Sequence, residues 1–297
     1  MTIPEIPLDT SPKGVAVARQ ILDLVVQYPD FERIQNASVA STNLMLQLKM
    51  STGILVLAEP GMGKTLLLEL IQRNLTRKDN VLEKASPVLT VSLDSAVDTH
   101  KIAAKAMMAL GYPMLPSRPN LESMTLMVDR AIERLGPKVL LIDESQHMCE
   151  GNRDITARAV TDWLKVRMDK HNLPVVCAGT PTFERICDIN EQFVSRASTK
   201  YVLNPFAFGD GWVQLMQAVK VGISLIEAGL LETPWCLKML HAVTHGNLRR
   251  LKKLLIYASI ECADRENPIL TRDDLRRGFD RAFGFKEGPE NPFYVRG

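Results

Sequence analysis

The stretch that most constrains the fold is "ILVLAEPGMGKTLLLELIQ", which runs from Ile54 to Gln72. An apolar run ends at Glu59 and Pro60, two glycines and a lysine follow, and a leucine-rich amphipathic segment comes next. This order predicts a buried strand, a tight turn and a helix. In such a turn Gly61 and Gly63 let successive backbone N–H groups face one anion, and the helix adds its positive N-terminal end. The stretch therefore predicts a phosphate-binding turn.

The turn has the spacing of a P-loop, with Ala58 in place of the first glycine. We expect Lys64 to reach the β- and γ-phosphates of a nucleoside triphosphate, and the Thr65 hydroxyl to bind Mg²⁺. A chance glycine turn would not require a strand before it and a helix after it. The residues predicted to contact the nucleotide run from the turn into the first turn of the helix: Glu59, Pro60, Gly61, Met62, Gly63, Lys64, Thr65 and Leu66.

The segment "KVLLIDESQH" supplies the complementary motif, because its apolar run ends in Asp143 and Glu144. A carboxylate at the end of a buried strand is costly unless a cation pairs with it, and Mg²⁺ at the P-loop is the partner predicted for Asp143. Glu144 is predicted to orient and deprotonate an attacking water. Taken alone, the motif also fits an acidic turn at a strand end. Together the two motifs predict ATP hydrolysis, with Lys64 and Glu144 as catalytic residues and Thr65 and Asp143 as metal ligands.

Strand and helix patterns alternate as far as Pro205, whereas the following region contains helical patterns only. This organisation predicts an α/β fold, with a parallel sheet flanked by helices and a small all-helical lid domain. Within it we expect a helix capped near Ser41 or Thr42 and a continuous helix over 211–230. The predicted regions are an N-terminal arm and helix (1–24), a nucleotide-binding domain (25–205), a helical lid (206–284) and a flexible C-terminal tail (285–297).

Composition restricts the partners and the compartment. The 297 residues carry a net charge of +2, so binding to nucleic acid would depend on local patches rather than on a global field. The five cysteines are odd in number and form no CxxC pair, which predicts a reduced compartment without a disulfide framework. The N-terminus lacks the pattern of a signal peptide, and no apolar run is long enough to span a bilayer. We therefore expect a cytoplasmic protein.

Five segments occur in an informative order: "AEPGMGKT", "VLLIDESQH", "VVCAGTP", "QFVSRAS" and "HGNLRRLKKLL". With them the chain resembles the AAA+ ATPases and, among these, the TniB/TnsC transposition regulators, which are relatives of the IstB and Orc/Cdc6-like ATPases. The resemblance covers about residues 25–283. It implies an AAA+ P-loop NTPase fold, ATP and Mg²⁺ as cofactors, and ATP-dependent regulation of DNA transposition.

The resemblance also implies residues that sense the nucleotide. Thr180 takes the position of sensor 1, which contacts the γ-phosphate or the attacking water. AAA+ proteins often have asparagine there, and Thr180 also fits a simple turn before Pro181. Arg249 matches sensor 2 at the start of a lid helix. Arg250 is its close rival, and a solvated basic helix face is the alternative.

Arg196 lies where AAA+ proteins place an arginine finger, with Arg185 as the competing candidate and an ordinary surface arginine as the alternative. A finger completes the nucleotide site of a neighbouring subunit. The resemblance therefore implies a homo-oligomer, either a ring or a helical filament. Nucleotide binding and assembly would then favour each other, since the two equilibria are linked.

In the TniB/TnsC family the assembled ATPase wraps duplex DNA and marks a target for the transposase. The segment after the second predicted strand would face the DNA, with Lys101, Lys105 and Arg118 as candidates for phosphate contacts of little sequence preference. Ordinary solvated lysines are the alternative. The partners implied are double-stranded DNA, further copies of the chain, a transposase and a TniQ-like targeting protein.

Other functions fit the same ATP-binding motifs. One alternative is a helicase loader or replication initiator, and another is a nucleotide-switched scaffold with little turnover. Glu144 favours hydrolysis over phosphoryl transfer to a small molecule. The leading hypothesis is an ATPase that oligomerises on DNA, links target selection to the transposase, and disassembles when ATP is hydrolysed.

Overall fold

The computed structural model describes residues 10–26, 28–76, 87–112, 120–150, 154–284 and 291–294. Two units make up the chain: an α/β unit formed by residues 29–204, and a helical unit formed by the residues up to 28 and from 205 onwards. The chain begins with helix α1 (Pro12–Asp23) of the helical unit. No helix within the described ranges combines the length and the apolar character needed to cross a membrane.

The α/β unit follows the alternation expected from the sequence. Its elements, in chain order, are α2 (Pro29–Leu48), β1 (Gly53–Ala58), α3 (Lys64–Thr76), β2 (Val88–Ser92), α4 (Thr99–Ala109), α5 (Leu121–Leu135), β3 (Val139–Asp143), α6 (Asp154–His171), β4 (Val175–Gly179), α7 (Ile186–Ile189), α8 (Glu191–Arg196) and β5 (Thr199–Leu203). Short 3₁₀ helices follow β3 at Ser145–Met148 and β4 at Pro181–Arg185.

The five strands form one parallel sheet in the order β2-β3-β4-β1-β5, as the sequence predicted. Every residue of β1, β3 and β4 is buried, which explains their continuous apolar sequences. Because the strands are parallel, their carboxyl ends meet at one edge of the sheet. Ligands of open α/β sheets bind outside this edge.

Helix α2 begins twelve residues before the predicted cap at Ser41, so that prediction is wrong. Pro29 supplies a backbone angle suited to the first helical position, and Asp30 and Glu32 place negative charge in the first turn. Thr42 lies inside the helix and is fully buried. The serine and threonine near its middle resembled a cap, although the stronger start signal was the proline.

The helical unit adds α9 (Asp210–Gly222), α10 (Pro234–Thr244), α11 (Leu248–Cys262) and α12 (Arg272–Phe283). The continuous helix predicted over 211–230 is wrong, because α9 ends at Gly222 and a short 3₁₀ helix follows at Gly229–Glu232. The N–H groups of Ser224 and Leu225 donate to the side-chain oxygen of Gln20 at 3.2 and 3.3 Å, instead of continuing the helix. This long-range contact leaves no periodic signal in the sequence.

Helix α1 was predicted to form a separate N-terminal region with the arm, but it is part of the helical unit. Val17 and Ile21 are buried in the core of that unit. Ser11 Oγ donates to Asp264 at 2.6 Å, and Lys252 Nζ donates to the carbonyl oxygen of Leu22 at 2.7 Å. The apolar face of α1 predicts that the helix is buried, although not against which partner.

The prediction of a flexible tail is wrong for residues 291–294, which pack on the helical unit. Phe293 is 2% exposed, and its ring lies 6.1 Å from that of Trp235. Asn291 Nδ2 donates to the carbonyl oxygen of Arg276 at 2.8 Å. The other tail residues lie outside the described ranges.

A buried carboxylate joins α5 to α6. Asp129 is 5% exposed and contacts Arg167 Nε at 3.3 Å, Lys170 Nζ at 2.9 Å and His171 Nε2 at 3.1 Å. Burial alone would raise the pKa of the Asp129 carboxyl, but the hydrogen bonds from Lys170 and His171 outweigh it and hold this pKa below its ordinary value. The cluster therefore stabilises the packing of α5 on α6 while Asp129 is ionised.

Replacing Asp129 with asparagine is expected to lower the free energy of unfolding by about 3 kcal/mol, because it leaves the nearly buried Arg167 without its counter-ion. Urea denaturation followed by circular dichroism measures the change. Asp30→Asn is the matched control, since Asp30 and its partner Arg33 are 70% and 75% exposed and an exposed pair contributes under about 1 kcal/mol. Equal effects of the two variants would contradict a structural role for the buried cluster.

Candidate nucleotide-binding site

The turn after β1 has the geometry expected of a P-loop. Gly61 and Gly63 have φ angles of 90° and 89°, a backbone region that residues with a Cβ rarely adopt. Met62 between them is fully buried, and its N–H donates to the carbonyl oxygen of Glu59 at 3.2 Å. Helix α3 starts directly after the turn, so its first N–H groups have no carbonyl partners within the helix. This end of α3 suits an anion.

Lys64, the first residue of α3, is 6% exposed. Its Nζ lies 3.5 Å from Oε2 of Glu144. This contact is long for a charge-assisted hydrogen bond. A nearly buried ammonium with one distant partner has capacity for a further anion, and a phosphate group fits that requirement.

Thr65 and Asp143 lie together, as predicted for the two metal ligands. Thr65 Oγ1 donates to Asp143 Oδ2 at 2.8 Å, and the other oxygen of Asp143 accepts from the N–H of Glu144 at 2.8 Å. Asp143 is the last residue of β3 and is 6% exposed. A hydroxyl and a carboxylate are oxygen donors of the kind that Mg²⁺ prefers, so this pair fits the ion.

Glu144 lies at a sharp turn between β3 and the following 3₁₀ helix. Its φ and ψ of 54° and 41° are left-handed, a conformation that costs a non-glycine residue about 1–2 kcal/mol. Burial alone would raise the pKa of its carboxyl, but the hydrogen bond from Gln146 and the charge of Lys64 outweigh it and lower this pKa. Glu144 is thus held as a carboxylate beside the P-loop lysine.

Gln146 is the residue that the sequence reasoning missed. Its Nε2 donates to Glu144 Oε2 at 2.5 Å, and its Oε1 accepts from the N–H of Thr180 at 3.0 Å. The side chain therefore joins Glu144 to the predicted sensor-1 position at the end of β4. The hydroxyl of Thr180 contacts that of Thr182 at 2.6 Å. The only sequence signal for Gln146 is its place two residues after Glu144.

The two arginine-finger candidates lie at opposite edges of the sheet. Arg196 ends α8 just before β5 begins, whereas the P-loop follows the end of β1, and these neighbouring strands are parallel. A five-residue strand separates the edges by roughly 17 Å. The structure therefore does not bring Arg196 near Lys64 of the same chain. Arg185 follows β4 at the edge that carries the P-loop.

Both arginines have carboxylate partners within the α/β unit. Arg196 donates from Nε and Nη2 to the two oxygens of Asp169, at 3.1 and 2.9 Å. Arg185 Nη2 donates to Asp154 at 2.7 Å. Either arginine would have to exchange a partner before it contacted a neighbour's phosphate.

The sensor-2 candidates differ in their surroundings within the helical unit. Arg250 Nη2 donates to the carbonyl oxygen of Val243 at 3.0 Å, and its guanidinium lies 5.2 Å from the ring centre of Phe283. Arg249 is exposed, and no described residue contacts its guanidinium. Arg249 is therefore the more available of the two for a ligand.

Two of the three DNA-contact candidates lie on α4 and bind the loop that precedes it. Lys101 Nζ donates to the carbonyl oxygen of Ala96 at 3.2 Å, and Lys105 Nζ donates to Asp94 at 2.8 Å. Arg118 lies outside the described residues. The DNA contacts therefore stay a prediction.

Comparison with known proteins relates the chain to one family and one fold. A profile described as bacterial TniB protein matches residues 17–204, more than half of the chain. A search of curated proteins found no significant match.

Among solved structures, the Aeropyrum pernix ORC2 protein in its ADPNP-ADP complexes is 13% identical, with a TM-score of 0.64 over 89% of this chain and 72% of that one. The Aeropyrum pernix ORC1 protein in complex with DNA is 14% identical, with a TM-score of 0.64 over 89% and 69%. Cdc6p from Pyrobaculum aerophilum is 14% identical, with a TM-score of 0.60 over 91% and 72%. These likenesses confirm the predicted AAA+ P-loop fold with its C-terminal helical region.

Proposed function

The chain belongs to the bacterial TniB protein family, and from this membership we propose that it is an ATP-dependent regulator of DNA transposition. It binds ATP with Mg²⁺, assembles on duplex DNA as a ring or filament, and links target selection to a transposase. Hydrolysis of ATP drives disassembly. The observation that carries the proposal is the pair of contacts at the carboxyl edge of the sheet, Lys64 to Glu144 and Thr65 to Asp143.

Each of these residues has a defined role in the proposed reaction. Lys64 and the N–H groups of the turn bind the phosphates, and Thr65 and Asp143 hold Mg²⁺. When bound, this ion neutralises charge on the β- and γ-phosphates. Glu144 orients the attacking water and accepts its proton. The low pKa of Glu144 keeps it ionised at neutral pH, as a general base requires.

The position of Arg196 supports assembly as part of the function. Arg196 lies at the edge of the sheet opposite to its own P-loop, so it can serve a phosphate only in another subunit. A head-to-tail contact of this kind generates a ring when it closes and a filament when it does not. We propose that Thr180 and Arg249 sense the nucleotide within each subunit.

The proposed DNA contacts use the lysines of α4. Lys101 and Lys105 each have one partner in the loop at residues 94–96 and can exchange it for a DNA phosphate. Repeated around an assembly, two such contacts per subunit are sufficient despite the small net charge. The DNA-bound Aeropyrum pernix ORC1 protein supports this proposal, since it shares the fold. A transposase and a TniQ-like targeting protein are the proposed protein partners.

Electron microscopy tests the proposal. With a slowly hydrolysed ATP analogue and plain duplex DNA, we expect rings or filaments, and with ADP we expect dispersal, because the γ-phosphate is what joins two subunits. Lys101→Ala with Lys105→Ala should weaken assembly on DNA and reduce its salt dependence by about 0.9 per lost phosphate contact. The exposed Lys238→Ala is the control. Monomers under every condition would overturn the proposal.

A second candidate function is that of a replication initiator or helicase loader, which the likeness to the ORC and Cdc6p structures favours. The two functions differ in the protein that responds to the assembly. We expect a transposase of the same element to accelerate ATP hydrolysis and a replicative helicase to leave it unchanged. The reverse result would favour the initiator, and negligible turnover with either partner would favour a nucleotide-switched scaffold.

A further inference from the structure

We propose that Gln146 is a positioning residue that holds the Glu144 carboxylate for water activation and links it to Thr180 on the neighbouring strand. The inference rests on the proposed ATPase function and adds a residue to it. Gln146 touches neither the predicted phosphate-binding turn nor the predicted metal ligands in any contact that the structure describes. Its role is therefore exerted through Glu144.

The side chain of Gln146 is held in one orientation. It is 6% exposed, its amide N–H donates to Glu144 Oε2 at 2.5 Å, and its amide oxygen accepts from the Thr180 N–H at 3.0 Å. The reverse orientation would place the amide oxygen against a carboxylate and the NH₂ group against an N–H donor. Both ends of the amide are therefore matched to their partners.

The end of β4 leaves room for this side chain only because residue 179 is glycine. A Cβ on Gly179 would lie 3.2 Å from both the backbone nitrogen and Oε1 of Gln146, which is closer than most contacts of a Cβ. The bridge from β3 to β4 is thus closely packed as well as hydrogen-bonded. Close packing of this kind fixes a supporting side chain within the tolerance that catalysis needs.

The bridge restricts what Glu144 can do. Oε2 receives both the short hydrogen bond from Gln146 and the 3.5 Å contact from Lys64, whereas no described residue donates to Oε1. Without Gln146, the negative charge of Glu144 would be free to move onto Lys64 and form a tight ion pair. Gln146 therefore keeps Lys64 available for phosphate and leaves Oε1 as the oxygen that accepts the proton of water.

The second end of the bridge connects the base to the predicted sensor. Thr180 follows the last residue of β4 and donates its backbone N–H to Gln146. A contact of Thr180 with the γ-phosphate would then bear on Glu144 through one side chain. Gln146 makes the orientation of the base depend on the same strand end that detects the phosphate.

The test replaces Gln146 with methionine, which has similar length and volume but cannot form either hydrogen bond. We expect kcat for ATP hydrolysis to fall at least about tenfold, while the Kd for a fluorescent ATP analogue changes by less than about threefold. Hydrogen exchange of the Thr180 amide should accelerate, which reports the bridge independently of activity. Gln47→Met, on the exposed end of α2, is the matched control.

Two further variants separate a positioning role from a structural one. Gln146→Asn keeps the amide but is one methylene too short for both contacts, so we expect a loss of kcat like that of methionine. In a Glu144→Gln background, Gln146→Met should lower the residual rate no further, because it acts through Glu144. Full kcat in either single variant, additive losses in the double variant, or a rise in Kd that matches the fall in kcat would each overturn the proposal.

Failure of this inference can be distinguished from failure of the proposed function. If the wild-type chain hydrolyses no ATP with DNA present, the proposed function fails. The Thr180 exchange measurement still decides whether Gln146 forms the bridge. If the wild-type chain is active and Glu144→Gln abolishes hydrolysis but Gln146→Met does not reduce it, only the positioning role is wrong.

Discussion

Replacing Glu144 with glutamine is expected to lower the rate of ATP hydrolysis by at least about 100-fold. The amide cannot accept the proton of the attacking water, although it has nearly the shape of the carboxylate. ATP binding should persist, because removal of the negative charge 3.5 Å from Lys64 leaves the ammonium free for phosphate. Single-turnover hydrolysis and equilibrium binding of a fluorescent ATP analogue measure the two effects separately.

Assembly provides a second measurement on the same variant. If hydrolysis drives disassembly, Glu144→Gln should form rings or filaments on DNA that persist with ATP itself and need no slowly hydrolysed analogue. Glu150→Gln is the matched control, since Glu150 is a partly exposed carboxylate near the same turn, where it contacts His147. Hydrolysis at the wild-type rate in Glu144→Gln would exclude this residue as the base.

The nucleotide-binding turn and the sheet could be predicted because their signals are local. The strand β1, the glycines of the turn and the start of α3 are adjacent in sequence, so hydrophobic pattern and backbone chemistry specify them together. The contact between Thr65 and Asp143 joins two such motifs. It was predicted because a metal ion needs oxygen donors from both motifs.

Features that depend on contacts distant in sequence were missed. The docking of α1 depends on Lys252 and Asp264, more than 200 residues away. The end of α9 is set by Gln20 in the same way. A periodic pattern shows that a helix has a buried face but does not identify the partner of that face.

The role of Gln146 was missed for a different reason. Glutamine is an ordinary surface residue in composition, and its importance here comes from the geometry of two strand ends that only the folded sheet brings together. The left-handed backbone of Glu144, which starts this geometry, is also unexpected for a residue other than glycine. Strained backbone of this kind is concentrated at functional sites.

The largest expected effect in the assembled state comes from Arg196. Arg196→Ala should lower ATP hydrolysis by about 10³-fold or more, as removal of an arginine finger does, while isolated subunits bind ATP with unchanged affinity. The affinity is preserved because Arg196 lies at the opposite edge of the sheet from its own P-loop. Arg185→Ala is the control, and a larger loss of hydrolysis in that variant would reassign the finger.

The pair of Arg196 with Asp169 does not oppose this role. The two side chains are 34% and 42% exposed, and such pairs contribute under about 1 kcal/mol. A desolvated phosphate at a subunit interface offers the same bidentate geometry with more charge. Asp169→Asn should therefore leave hydrolysis by the assembled protein nearly unchanged, which would not be so if Arg196 were only a structural partner of Asp169.

Mixing two inactive variants tests whether the finger acts between subunits. An Arg196→Ala subunit keeps its P-loop, and a Lys64→Ala subunit keeps its arginine, so a head-to-tail pair of the two contains one complete site. Random mixing in equal amounts should restore hydrolysis at about a quarter of the sites, whereas each variant alone stays inactive. Hydrolysis measured against mixing ratio should pass through a maximum near equal amounts. A flat, inactive profile would mean that Arg196 acts within its own chain or not at all, and the proposed coupling of ATP binding to assembly would then lose its structural basis.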